Sequence, residues 1–483
     1  MISRSFLSSS IVFTVGGALP MLAGIILLPF YTNYLDEKSY TQLLFYINVS
    51  LLFQIFFSFS TESYFGVQFS RLGEDPDEQK KFTGTVALFL LLLGSALLLI
   101  LSVVGDYIFK HVYNDALGIE FWPYGFFSVL TGFFNSYFKT STICLIYVKK
   151  SRTFLISNII NFVLTIGIST GGLLMFPHSV VGPIYGRLLS GVVIFMIAHF
   201  IYKSHGTLTF KKEFMGDLVR FCAPYMVFVV SSWVLGQGDR NFMQGLDKAD
   251  LNAYDLMLKC FFGIEFLQNS LSAVIFPKLF EIWNKTGQNK TTPESNRYFN
   301  VFSAINIIQL VLFCIFIPII YRILIYNKTF FVSENYIGIL AAGYVTRGII
   351  NYYVSTILFT KKINVLVRIF VSAAVIQLGL TWIFVKQFGI NGAIYAGLLT
   401  KVLQVVFCML FTKNVFEYNF NALKILIIPL FYFALNVAQY FIFPHYNVFL
   451  YLAQLLIFSL LFYFIFRNEI VKTIASLFPR ANA

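Results

Sequence analysis

The chain has 483 residues, of which 58% are hydrophobic and only 12% charged. A soluble globular chain carries roughly a quarter charged residues, so this deficit excludes a water-soluble fold and makes lipid the main solvent. The net charge of +13 would suggest nucleic acid for a soluble protein. In a membrane chain it divides instead between cytoplasmic loops and the interior, and no nucleic-acid partner is expected.

A membrane-crossing helix needs about twenty mostly apolar residues. On that scale the predicted helices run over 8–33, 38–66, 82–107, 117–147, 154–175 and 180–203. A second series covers 217–238, 251–277, 298–325, 333–358, 365–386 and 389–413, and a final pair 422–443 and 446–467. The expected fold class is an all-α polytopic membrane protein of about fourteen transmembrane helices. The first helix lacks a small-residue cleavage site after a short apolar core, and reads as a retained anchor. The connecting loops are too short for a soluble domain; the most polar are 71–81, 203–213 and 278–297. With the N-terminus inside, cytoplasmic segments hold about 21 Lys and Arg and outer segments about 7. This bias places both termini in the cytoplasm. Cys144, Cys222, Cys260, Cys314 and Cys408 all lie in apolar runs without ligand spacing, so they read as packing residues and no metal is expected.

The second series of six repeats the first. Val112-Tyr113-Asn114 returns as Ile325-Tyr326-Asn327, and Lys149-Lys150 as Lys361-Lys362. VVGPIYGRLL (Val180–Leu189) returns as INGAIYAGLL (Ile390–Leu399), and Leu35-Asp36 as Leu246-Asp247. Six helices per copy is an even number, so both copies enter the membrane in one direction. Such parallel repeats build two lobes around a central cavity and work by rocking of one lobe against the other. The expected domains are an N-lobe over 1–210, a C-lobe over 211–418 and two C-terminal helices over 419–483. The prolines in the spans (Pro20, Pro29, Pro123, Pro183, Pro224, Pro277, Pro318 and Pro429) supply bends that neighbouring helices can accommodate.

Ionisable groups inside the spans are the candidate functional residues, since a charge at the bilayer centre costs on the order of 3 kcal/mol or more. Five cations (Lys139, Arg187, Lys259, Arg347 and Lys401) stand against three anions (Glu62, Asp255 and Glu265). Asp255 and Lys259 lie four apart on one helix face and suit an ion pair; Glu265 is available to another cation. The excess of positive charge predicts a hydrated, cationic cavity whose ligand is an anion. A diphosphate suits it, because Arg offers bidentate contacts and Lys a point charge. Ser231, Ser232, Gln237, Asn241 and Gln244 at the seventh helix's outer end, and Asn351 one turn after Arg347, fit either a wet interior or hydrogen bonds between helices.

Several segments then carry a family resemblance. LLPFYTNYLDEKSY (Leu27–Tyr40) opens the chain with a leucine-proline helix and an acidic turn. RFCAPY (Arg220–Tyr225), Ser231-Ser232-Trp233 and the pair Asp239-Arg240 open the second half, followed by NAYDLMLK (Asn252–Lys259) and Pro277. The chain thereby resembles the polysaccharide-exporter, or O-antigen flippase, branch of the multidrug/oligosaccharidyl-lipid/polysaccharide flippase superfamily. It departs from that pattern where Asn252 or Ala253 replaces a glycine before Tyr254. The resemblance covers nearly the whole chain. It implies a two-lobed transporter that moves an undecaprenyl-diphosphate-linked oligosaccharide from the inner to the outer leaflet of a bacterial cytoplasmic membrane. It also implies cations lining a central cavity, an anionic lipid-linked oligosaccharide as partner, and polysaccharide polymerase machinery as neighbour.

The rivals separate on chemistry. No G-x-x-x-x-G-K-[ST] loop is present for ATP hydrolysis, so an H+ or Na+ gradient or substrate mass action is the expected energy source, with Glu62, Asp255 and Glu265 as coupling candidates and no cofactor. A multidrug exporter of organic cations should carry negative charge in its cavity, the reverse of this chain; a peptidoglycan-precursor (lipid II) flippase stays open as an alternative. A membrane-embedded oligosaccharide polymerase needs catalytic groups. The five histidines (His111, His178, His199, His205 and His445) are scattered, and no nucleophile, base or metal constellation accompanies them.

Overall fold

The computed structural model describes residues 4–72, 75–113, 115–207, 209–286 and 289–469, with side chains of the first helix described from Gly16 onward. Among the described residues the fold is all α, and twelve helices are long and apolar enough to cross a membrane. The chain is a multi-pass membrane protein. It divides into two compact units, Met1–Lys248 and Ala249–Ala483.

The first unit holds α1 (Arg4–Tyr34), α2 (Glu37–Ser58), α3 (Thr61–Arg71), α4 (Pro76–Val112), α5 (Phe126–Tyr147), α6 (Ser151–Met175), α7 (Val181–His205) and α8 (Lys212–Gln237). Short polar signals start these helices where lipid gives way to loop. Asp36 caps α2 by accepting from the Ser39 amide at 2.8 Å, and Asp75 caps α4 ahead of Pro76, a residue whose missing N–H is harmless at a helix start. The predicted second helix is broken rather than continuous. Phe59 and Ser60 take left-handed backbone angles (φ 47° and 55°), which separates α2 from α3 although neither Gly nor Pro marks the site. The predicted fourth helix begins later than expected: a turn at Asp115–Leu117 and a wide turn at Phe121–Gly125 precede α5. The seventh predicted span, α8, packs on α2, α3 and α4 within this unit.

The second unit holds α9 (Lys248–Thr286), α10 (Pro293–Leu324), α11 (Ile337–Phe359), α12 (Ile363–Phe388), α13 (Ile390–Thr412), α14 (Ile428–Ile442) and α15 (Val448–Ile465). A capping box of Thr292 and Ser295 with Pro293 at the first position opens α10. α9 runs straight through Pro277. The last two helices pack on α10 and α11.

Two helices, α5 and α11, fall outside the twelve apolar ones, and both are hubs. α5 packs against α2, α3, α4, α6 and α7, and α11 against α10, α12, α13 and α14. In α11, 17 of 23 residues are buried, whereas in α15 only 4 of 18 are. A helix surrounded by protein needs little lipid-facing apolar surface and has room for Thr, Ser, Asn and charge.

The units share local geometry at the positions that repeat in sequence. Lys149 and Lys361, each ending a hub helix, have φ of 58° and 57°. His178 and Gly389, just before the repeated VVGPIYGRLL and INGAIYAGLL segments, have φ of 61° and 57°. Gly182 and Gly392, the matched glycines of those segments, press against backbone of the preceding helix: a Cβ at Gly182 would collide with the carbonyl of Gly172, and one at Gly392 with that of Phe384. The retained glycines are thus points of backbone contact in the hairpins α6–α7 and α12–α13.

Candidate functional site

In the first unit, α5 presents Lys139 and the start of α3 presents Glu62, joined at 2.7 Å. Glu62 sits in the first turn of α3, where the positive end of the helix favours a carboxylate. Lys139 remains half exposed. Asp239 and Arg240 occupy a tight turn, Gly238–Phe242, that follows α8. Both are buried, and Arg240, 1% exposed, pairs with Asp239 at 3.3 Å. Arg240 also donates to the Gly236 carbonyl at 3.1 Å. This pair ties the turn to the end of α8. Arg187 on α7 has no carboxylate within ion-pairing distance among the described residues; it borders a small cavity with Ser50, Ser128 and Thr131.

In the second unit, one face of α9 carries the charge. Asp255, 1% exposed, pairs with Lys259 at 2.6 Å, the local pair that i,i+4 spacing predicts. Further along α9, Glu265 pairs with Arg347 of α11 at 2.6 Å. Arg347 also donates to Asn269 at 3.1 Å. Below it, Asn351 donates to Ser272 at 3.4 Å, and Gln268 donates to Asn306 of α10. On α13, the Lys401 ammonium lies 4.6 Å from the centre of the Tyr344 ring, a cation–π contact.

All three anions, Asp255 buried and Glu62 and Glu265 partly exposed, are therefore engaged by three of the five cations. The free cysteines (four buried, Cys260 partly so) form no bridge, and no His, Cys, Asp and Glu grouping among the described residues could hold a metal. What the arrangement can do is bind: it offers cationic and amide groups in polar interiors.

No known family profile matches the sequence, and no curated protein matches it. Solved structures do match. The lipid II flippase MurJ, in an inward closed conformation, superposes with a TM-score of 0.70 at 15% identity, covering 96% of this chain and 99% of that one. An inward-facing multidrug resistance MATE transporter of the MOP superfamily gives 0.62 at 13% identity, covering 86% and 99%. The fold is that of the MOP-superfamily transporters. A third MOP structure, a transporter from Pyrococcus furiosus described as having a binding pocket of reverse polarity, gives 0.58 at 13% identity over 85% and 95%. These neighbours are transporters, not enzymes.

Within this MOP fold, the residues predicted from sequence group by unit: Lys139, Glu62, Arg187, Asp239 and Arg240 in the first; Lys259, Asp255, Glu265, Arg347 and Lys401 in the second. Near the end of α8, Ser231 donates back to the Val227 carbonyl, and Gln244 ties its loop to the carbonyl of Val112. Sequence reading missed Asn269 and Tyr344. Asn269 lies four residues after Glu265, so it shares that helix face and was findable. Tyr344 lies three residues before Arg347 on α11, and only the packing of α13 reveals that it carries Lys401.

Proposed function

We propose that this chain is a flippase of the MOP superfamily that carries an anionic, lipid-linked oligosaccharide from the inner to the outer leaflet of a bacterial cytoplasmic membrane. The cargo is an oligosaccharide on undecaprenyl diphosphate, and movement is by alternating access through a cationic cavity. The observation that carries this reading is the sign of the interior. Five deep cations (Lys139, Arg187, Lys259, Arg347 and Lys401) stand against three anions (Glu62, Asp255 and Glu265), and Arg187 has no carboxylate within ion-pairing distance among the described residues. A diphosphate compensates such charge; an organic cation adds to it. Arg347 and Lys401 would hold the diphosphate, with Lys259 contributing from its ion pair.

The hub helices α5 and α11 have 22 and 23 residues, about 33 Å of helix each at 1.5 Å per residue. That length suits fourteen spans, in two six-helix copies of one repeat plus a final pair, with both termini cytoplasmic. Glu62, Asp255 and Glu265 are the candidate groups for coupling to H+ or Na+. Polysaccharide polymerase machinery is the natural receiver of the product.

One observation favours a second cargo. The lipid II flippase covers 96% of this chain, whereas the MATE structures cover 84 to 86%. A peptidoglycan precursor is therefore the alternative lipid diphosphate. Purified protein in vesicles, loaded with fluorescent polyprenyl-diphosphate sugars and probed with a membrane-impermeant quencher, tests both. The reading expects flipping that R347A and K401A reduce, with lipid II and a longer oligosaccharide compared in parallel arms. Failure to move any polyprenyl diphosphate, or transport of ethidium in its place, overturns it.

A further inference from the structure

Two arginine–glutamate pairs of the second unit differ in build. Arg322 and Glu334 form the locked kind: Nε and Nη2 both donate to the carboxylate, at 2.8 and 2.6 Å, and Glu334 is 4% exposed. Arg347 and Glu265 make a single contact instead, Nη1 to Oε1 at 2.6 Å, with 30% and 31% of their side chains exposed. Among the described residues, no other side chain donates to the Glu265 carboxylate.

Arg347 has a second anchor. Glu265 and Asn269 lie four apart on one face of α9, and Nη2 of Arg347 donates to the Asn269 side-chain oxygen at 3.1 Å. Asn269 carries no charge. Arg347 therefore keeps its place when Glu265 leaves, and a guanidinium with five donors has hydrogens for an incoming anion. Glu265 is already partly solvated, so its release leaves no buried, uncompensated carboxylate.

A carboxylate on an arginine is chemically a small stand-in for a phosphate. An anion of one charge that displaces it exchanges like for like, and still loses the entropy of association. A diphosphate brings more charge and more acceptor oxygens, so it gains by the exchange. Resting on the flippase reading above, we propose that Glu265 is a specificity-determining residue that occupies Arg347 between cargoes. It bars lipids of one negative charge, such as phosphatidylglycerol, and yields to a lipid diphosphate. Glu265 acts by competing with cargo, whereas Asn269 orients the guanidinium.

Competition and positioning predict opposite signs for Glu265→Gln. The test measures binding to the full chain in detergent, with geranyl diphosphate and dioctanoyl phosphatidylglycerol as soluble probes. The unmodified protein should prefer the diphosphate by about tenfold or more. Glu265→Gln should bind the phosphatidylglycerol about tenfold tighter than the unmodified protein, the size of one partly exposed ion pair. In vesicles, Glu265→Gln should also move a fluorescent phosphatidylglycerol that the unmodified protein leaves in place. Unchanged or weaker binding of phosphatidylglycerol in Glu265→Gln overturns the proposal. So does equal binding of the two probes by the unmodified protein, an arm that needs no variant to fold. If the binding arms hold while the unmodified protein moves no polyprenyl diphosphate, the transport reading fails and the competition by Glu265 stands.

Discussion

Glu265 on α9 and Arg347 on α11 meet at 2.6 Å, although 82 residues separate them in the chain. Each keeps about 30% of its side chain exposed, so the pair is partly solvated and its coupling is smaller than that of a fully buried pair. A coupling of about 1–2 kcal/mol is expected, between the exposed and buried regimes. Glu265→Ala should lower thermal stability more than the double variant Glu265→Ala/Arg347→Ala, because the single change leaves the guanidinium without its carboxylate. A double-mutant cycle on unfolding of the detergent-solubilised protein measures this. Additive single effects would show that the pair is not coupled.

Comparison with the sequence reading separates local from tertiary information. Asp255–Lys259 is a one-turn pair on a single helix and was legible from spacing. Glu62–Lys139 and Glu265–Arg347 were not, because nothing in a linear pattern says which helices adjoin. The helices themselves were legible from apolar runs, and α11 lies within a few residues of its predicted bounds despite its polar content, whereas α5 begins at Phe126 rather than at 117. The break at Phe59 and Ser60 was hidden, since residues other than Gly or Pro adopted the left-handed angles. Longer starts were partly signalled: Pro76 and Pro293, each behind a capping residue, extend α4 and α10 beyond the apolar runs.

The matched glycines should be intolerant of the smallest side chain. At Gly182 and Gly392 an added methyl meets backbone of the neighbouring helix, which cannot move aside as a flexible side-chain tip can. Gly182→Ala and Gly392→Ala should each cost about 1–3 kcal/mol or more through overpacking. Gly167 and Gly379 have nothing within 4 Å of an added Cβ, so alanine there should be neutral or slightly stabilising in a helix. Fluorescence-detected size-exclusion after heating ranks all four. Equal tolerance at Gly182 and Gly167 would rule out tight backbone packing in the α6–α7 hairpin.

Arg240 should behave as a structural residue. It is 1% exposed and pairs with the buried Asp239. Removing one partner of a buried ion pair costs about 3–5 kcal/mol, because the remaining charge keeps its desolvation penalty. Arg240→Ala should therefore reduce the yield of folded protein sharply. Asp239→Asn, which keeps the shape but leaves the buried guanidinium without its carboxylate, should be costly as well. If Arg240→Ala folds normally and loses only transport, the pair acts on cargo rather than on the turn.

Lys401 and Gly343 offer a way to move a charge without removing it. The Lys401 ammonium rests on the ring of Tyr344, and a methyl on Gly343 would lie 2.8 Å from its nitrogen. The obstructing atom is the far end of a flexible side chain, so Gly343→Ala can fold by swinging that ammonium off the ring. Tyr344 is buried, and loss of a partly desolvated cation–π contact costs about 1–2 kcal/mol, so the thermal stability of Gly343→Ala should fall modestly. Transport should respond more strongly. If Lys401 meets the diphosphate from its place on Tyr344, Gly343→Ala and Tyr344→Leu should both slow flipping several-fold, while Lys401→Arg retains partial activity through its charge. Unaltered flipping in Gly343→Ala and Tyr344→Leu, with Lys401→Ala inactive, would instead mean that the charge of Lys401 matters and its seat on the ring does not.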